Sequence, residues 1–136
     1  MTSHLLVPMD DSEPARSALE YALDRFPDDE ITVVHAVDDL EAGYGGRPPA
    51  VGGEGADRDP DFFDDVERIA AERDRTIETR VIEGQAADAI LAYVDEEAVD
   101  GIVMGSEGRS GVSRVLLGSV AEQVTRRADV PVTIVP

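Results

Sequence analysis

Residues 105–119, Gly-Ser-Glu-Gly-Arg-Ser-Gly-Val-Ser-Arg-Val-Leu-Leu-Gly-Ser, concentrate residue types that hold an anion through the main chain rather than through a catalytic side chain. Gly105 and Gly108 lack Cβ, so a sugar or phosphate can lie against the backbone there, and the chain can take positive φ. Gly118 and Ser119 close the stretch, and Ser119-Val120-Ala121-Glu122 has the S-x-x-E form of a capping box. Ser119 is therefore expected to open a helix whose first N–H groups and positive dipole end face an anion. Between the glycines, Arg109 and Arg114 offer cations to a phosphate or to neighbouring carboxylates, while Val112, Val115, Leu116 and Leu117 supply apolar anchorage for a flap. A segment that only joined two elements would rarely need this length, although connecting loops also favour glycine and serine.

The second stretch with chemistry is Pro-Met-Asp-Asp-Ser at 8–12. Asp10 and Asp11 are either ligand-holding carboxylates or acids favoured at a helix entry by the dipole. Ser12 is placed to cap that helix, and Pro14 fits its first turn, where a missing N–H costs nothing. His35, between Val34 and Ala36 in an apolar run, is expected to be a hydrogen-bonded structural histidine, and His4 a surface one. All twelve basic residues are arginine, so a Walker A loop, which needs its lysine, is excluded. There is no cysteine, which removes disulfides, thiolate nucleophiles and zinc–thiolate sites together.

The elements that must position these residues follow from periodicity. Short apolar runs at 4–9, 31–37, 76–83, 100–106 and 130–136 are expected strands. Between them lie amphipathic stripes: Ala15, Ala18, Leu19, Ala22, Leu23 and Phe26; then Phe62, Phe63, Val66, Ile69 and Ala70; then Ala87, Ile90, Leu91 and Val94; then residues 119–128. Strand and helix alternate, and near-continuous apolar strands imply a mostly parallel sheet covered on both faces. Right-handed crossovers make a single open, doubly wound five-stranded α/β sheet the economical topology. Residues 41–60, rich in glycine and proline without periodicity, are expected to be a flexible insertion within one domain spanning 1–136. In such a sheet, ligands bind beyond the carboxyl ends of the strands where strand order reverses. With strand 1 central, that crevice lies between 8–12 and 105–119.

Composition narrows the partners. Thirty acidic residues against twelve basic ones give a net charge of −18, which repels nucleic acid and anionic membranes. The acids alternate with periodic apolar residues, so they are expected to form a solvated surface adapted to high salt, where screening removes self-repulsion. The N-terminal stretch has no basic leader or small-residue cleavage site, and no run approaches a membrane span, so a soluble cytoplasmic protein is expected.

At the spacing G-x-x-G, nine residues, then G-S, the chain resembles the universal stress protein family, with Gly105, Gly108, Gly118 and Ser119 on the motif. Residues 7–23 are similar to that family's first strand and helix, and residues 100–135 to its C-terminal third. The resemblance implies a Rossmann-like fold of the adenine nucleotide alpha hydrolase type, with strand order 3-2-1-4-5. It implies binding of ATP, or of ADP or AMP, with Mg²⁺ possible. Pro8 and Met9 would then lie beside the adenine, Ala36 would offer backbone to its edge, and Asp10 would hold the ribose or the metal. Met104 and Gly105 would face the nucleoside, and Gly108, Arg109, Gly118, Ser119 and the Val120 N–H the phosphates. Glu107 departs from the residues that family members often carry inside G-x-x-G, which leaves open either weaker phosphate binding or an Mg²⁺ that bridges to it. The resemblance also implies a homodimer through the apolar edge strand 131–135, which prolines bound.

The function expected is that of a nucleotide-binding stress-response regulator or sensor. A slow ATP hydrolase is the alternative, with only Asp10, Glu107 and arginines to serve phosphoryl transfer; another is a family member that dimerises and binds partners without nucleotide. A phosphoacceptor domain of the two-component type would need an acid after strand 3, where the chain has Val-Ile-Glu-Gly-Gln, and a lysine.

Overall fold

The computed structural model describes residues 3–38, 60–106 and 117–136. Most of the expected insertion at 41–60 lies outside the described residues, as do Glu107, Gly108, Arg109 and Arg114. The elements run β1 (His4–Pro8), α1 (Glu13–Arg25), β2 (Glu30–Val37), α2 (Phe62–Ala71), β3 (Glu78–Glu83), α3 (Ala86–Glu96), β4 (Gly101–Gly105), α4 (Ser119–Arg127) and β5 (Val132–Val135). All strand pairs are parallel, in the order β3-β2-β1-β4-β5. This is the α/β doubly wound sheet with the order that the resemblance implies.

Alternation along each strand divides the core in two. Leu5 and Val7 of β1, Val33 of β2 and Val103 of β4 join Ala15, Ala18, Leu19, Ala22 and Leu23 of α1 and Phe63, Val66, Ile69 and Ala70 of α2 on one face. Leu6, Val34, Ile102 and Met104 turn to the other face, against Ala87, Ile90 and Val94 of α3 and Ala121 and Val124 of α4. With helices on both faces, β1 and β4 carry no polar face, which is why their sequences are continuous apolar runs. Leu6, Val7 and Val33 are fully enclosed, and each contributes roughly 1.5–3 kcal/mol by burial.

Local chemistry sets the helix that follows β1. The Ser12 hydroxyl accepts from the Ala15 N–H at 3.3 Å, and Pro14 occupies the first turn of α1. At the other end of α1, Arg75 donates to the Leu23 carbonyl at 2.7 Å and to the Asp29 carbonyl at 2.8 Å, so the start of β3 is fastened to the α1–β2 turn. His4, expected at the surface, is half-buried, with its Nε2 2.8 Å from the hydroxyl of buried Thr32.

Candidate functional site

Strand order reverses at β1, which has β2 on one side and β4 on the other. Beyond the carboxyl ends of these three strands lies a cavity of about 350 Å³. Pro8, Met9 and Asp10 continue from β1 into its wall, Val34, His35 and Ala36 come from β2, and Met104 and Gly105 from β4. Gly118, Ser119, Val120 and Ala121 enter from the start of α4. Every expected site residue that is described therefore stands around one cavity; Gly108 and Arg109 lie outside the described residues.

The β2 edge gains its open backbone from the length of β1. The Met9 N–H donates to the Val34 carbonyl at 2.7 Å, so Val34 points its polar groups toward β1. Val37 accepts from the Gly84 N–H at 2.8 Å, which places its carbonyl on the β3 side. By alternation Ala36 faces the β1 side, like Val34. The β1–β2 ladder ends at Pro8 opposite Val34, and the chain then turns into α1. Ala36 thus turns one N–H and one C=O to the side where β1 has ended, at the cavity, and among the described residues no strand takes them.

Two hydrogen bonds fix the end of β1. The Met9 carbonyl can only accept, so the His35 Nδ1, 2.8 Å away, carries the proton that it receives. The Phe62 ring meets the His35 ring edge-on, with centroids 5.1 Å apart. His35 has the structural role expected of it, although it also lines the cavity. Asp10 is half-buried, and its Oδ1 accepts from the Ser12 N–H at 3.0 Å. Among the described residues no three acids and histidines converge to hold a metal, and Asp10 is the one carboxylate of theirs that lines the cavity.

Two sequence expectations need correction. The capping box of Ser119 does not form: Gly118, with φ −66° and ψ 163°, is the N-cap, and Ser119 is already helical. The Gly118 carbonyl takes the first helical bond, from the Glu122 N–H at 2.9 Å, so the helix starts one residue earlier than the S-x-x-E pattern requires. Glu122 pairs instead with Arg126 at 3.4 Å. The consequence is a helix start with no side-chain cap among the described residues, leaving the N–H groups of Ser119, Val120 and Ala121 directed outward at the cavity. The Gly118 N–H itself is engaged by the Ser106 carbonyl at 2.8 Å.

Gly105 is also glycine for a different reason. A Cβ there would stand 2.7 Å from the Pro14 carbonyl carbon and 2.8 Å from the Ala15 nitrogen, and its φ is not among the positive ones. The missing side chain lets the first turn of α1 press on the end of β4.

Sequence reasoning missed Ala15, Val34, Ala86, Ile90 and Ala121, which also line the cavity. Ile90 carried only the signature of a core residue. The available signal was topological: every helix that follows a parallel strand starts at the same end of the sheet.

The family model for the universal stress protein family matches residues 1–136. Universal stress protein MJ0531 of Methanocaldococcus jannaschii is 41% identical over 70 residues, which are 52% of this chain and 41% of that protein. The chain thus spans less than half the length of that relative. Universal stress protein MJ0577 of the same organism is 26% identical over 99% of this chain and 95% of its own length. The solved structure of MJ0577 superposes with a TM-score of 0.79, covering 99% of this chain and 96% of that one. Two further structures share the fold at lower identity. A universal stress protein in complex with cAMP has a TM-score of 0.68 at 24% identity, over 98% of this chain and 96% of that one. The universal stress protein of Archaeoglobus fulgidus in complex with dAMP has a TM-score of 0.68 at 20% identity, over 100% of this chain and 98% of that one.

Proposed function

The chain belongs to the universal stress protein family, and on that footing we propose that it binds adenine nucleotides, ATP first among them, as a stress-response regulator or sensor. The observation that carries this is the convergence of two unused backbone features on one cavity. The open N–H and C=O of Ala36 match the N1 acceptor and N6 amino donor of adenine. Across the cavity, the uncapped start of α4 offers N–H groups and a positive dipole end to phosphates. Met9, Met104 and Val120 supply apolar surface between them, and Asp10 is placed for ribose hydroxyls. Complexes of the same fold with cAMP and dAMP support an adenine ligand.

A Mg²⁺ ion would arrive with the nucleotide, because among the described residues only Asp10 offers a carboxylate at the cavity; phosphate oxygens and water, with Glu107 from outside the described residues as the further candidate, would complete its shell. Gly108 and Arg109 are proposed to contribute to the phosphate end from outside the described residues. The protein is further proposed to act in the cytoplasm and to dimerise through β5. Among the described residues that strand pairs only with β4, and its sequence Val-Thr-Ile-Val carries no charge, whereas β3 at the opposite edge is guarded by Glu78, Arg80 and Glu83. Among the described residues no helix is long and apolar enough to cross a membrane.

Isothermal titration of ATP, ADP and AMP into the protein in multimolar KCl with Mg²⁺ tests the proposal. Saturable heat with a one-to-one end point is expected. No heat from any of the three, in a sample folded by circular dichroism, would reject it.

A further inference from the structure

Between Asp10, which lines the cavity, and Ser12, which caps α1, the chain passes through Asp11 at φ 65°. Aspartate is one of the few residues with a Cβ that enter this left-handed region, and it does so where its side chain is held locally. The peptide units on either side of Asp11 decide where the Asp10 carboxylate points. Arg16, at the end of the first turn of α1, donates from Nε at 3.0 Å and also from Nη2 to the same Asp11 carboxylate oxygen. Its Nη2 also reaches Asp65 of α2 at 3.3 Å, and Asp65 accepts from Arg68 at 2.9 Å. The Arg68 hydrogen bond, with the charges of Arg68 and Arg16, holds the Asp65 carboxyl below the usual range. The side chains of Arg16, Asp11 and Asp65 are 36%, 41% and 42% exposed, so these pairs add little to global stability. Arg16 itself is not among the residues lining the cavity.

We propose that Arg16 is a positioning residue for the nucleotide site. By gripping Asp11 in its left-handed conformation it keeps the Asp10 carboxylate turned to the ligand, and through Asp65 it ties this turn to α2. The inference rests on nucleotide binding at the cavity, and it differs from a direct contact between Arg16 and phosphate.

The test is a double-mutant cycle of Arg16→Gln and Asp11→Gly, because glycine takes the left-handed conformation without a side chain to hold it. Two quantities are measured: the ATP dissociation constant, and hydrogen-exchange protection of the Ser12 amide, which bonds Asp10, in nucleotide-free protein. Arg16→Gln is expected to weaken ATP binding and Ser12 protection by about five- to tenfold, with little change in melting temperature. In the Asp11→Gly background the same substitution is expected to change neither. An equal loss of affinity in both backgrounds overturns the proposal, since Arg16 would then act on the ligand itself. Unchanged Ser12 protection in Arg16→Gln overturns it as well. Should the wild-type protein bind no ATP, the Ser12 amide still decides the positioning, so the two failures are told apart.

Discussion

Gly105 at the end of β4 lies so close to Pro14 in the first turn of α1 that a Cβ on the glycine would stand 2.7 Å from the proline carbonyl carbon. The two residues belong to β4 and to the helix that follows β1, the strands on either side of the point where strand order reverses. On one side of the contact the chain has just left Asp10; on the other it leads through Ser106 toward the start of α4. The end of β4, which lines the cavity at Gly105, is thus packed backbone-on-backbone against α1.

Gly105→Ala is expected to lower stability by about 1–3 kcal/mol, because the neighbours of the added methyl are main-chain atoms that cannot rotate away. Urea unfolding measures this. The same displacement of α1 is expected to weaken ATP binding more than a substitution of equal thermodynamic cost remote from the cavity, such as Ile69→Val in the α1–α2 core.

The proposed site makes base selectivity depend on Ala36. Its C=O would accept from the amino group of adenine and would meet an acceptor, the O6 carbonyl, in hypoxanthine. ITP is therefore expected to bind roughly 10–100-fold more weakly than ATP. Equal affinities, by competition titration, would remove the β2 edge from the adenine site.

Pro131 and Val135 direct their carbonyls to β4, so by alternation Ile134 turns its N–H to the free edge of β5, and Ile134→Pro removes that donor from the uncharged edge strand. Sedimentation velocity is expected to show a dimer for the wild-type protein and a monomer for the variant. A dimer that persists unchanged would place the contact elsewhere on the molecule.

The net charge of −18 makes stability depend on salt. The ion pairs of the described surface, such as Arg73 with Asp24 and Arg127 with Asp88, are at least partly exposed and worth roughly 0–1 kcal/mol each. Screening therefore removes more repulsion than attraction. Between 0.1 and 2 M KCl the melting temperature is expected to rise, by a few degrees for each kcal/mol of repulsion relieved. A falling melting temperature would show that the pairs outweigh the net charge.

The fold was legible because burial leaves a plain imprint on composition. Leu5, Leu6 and Val7 are continuous because both faces are covered, and Ile77, Thr79 and Val81 alternate with exposed Glu78 and Arg80 because β3 is an edge. Strand order came from the family resemblance, since periodicity places no strand beside another. Site residues at the ends of β1, β2 and β4 were located for the same reason. What sequence left obscure depends on one-residue register or on packing partners. The S-x-x-E pattern at Ser119 is compatible with either Gly118 or Ser119 as N-cap, and only the Gly118 carbonyl bond separates them. Gly105 reads in the sequence as a ligand contact, and only the position of Pro14 reveals that it is a helix contact as well. Ala86 and Ile90 carried no mark of a site, because an apolar wall has the composition of core.

The most direct measurement is an ATP titration followed by amide NMR in high salt with Mg²⁺. The amides of Ser119, Val120 and Ala121 at the start of α4 and that of Ala36 are expected to shift together along one saturable binding curve, while amides at the amino end of the sheet, such as Leu5 and Gly101, stay in place. Saturable shifts centred on any other part of the molecule, with Ala36 and the α4 start unmoved, would contradict the account.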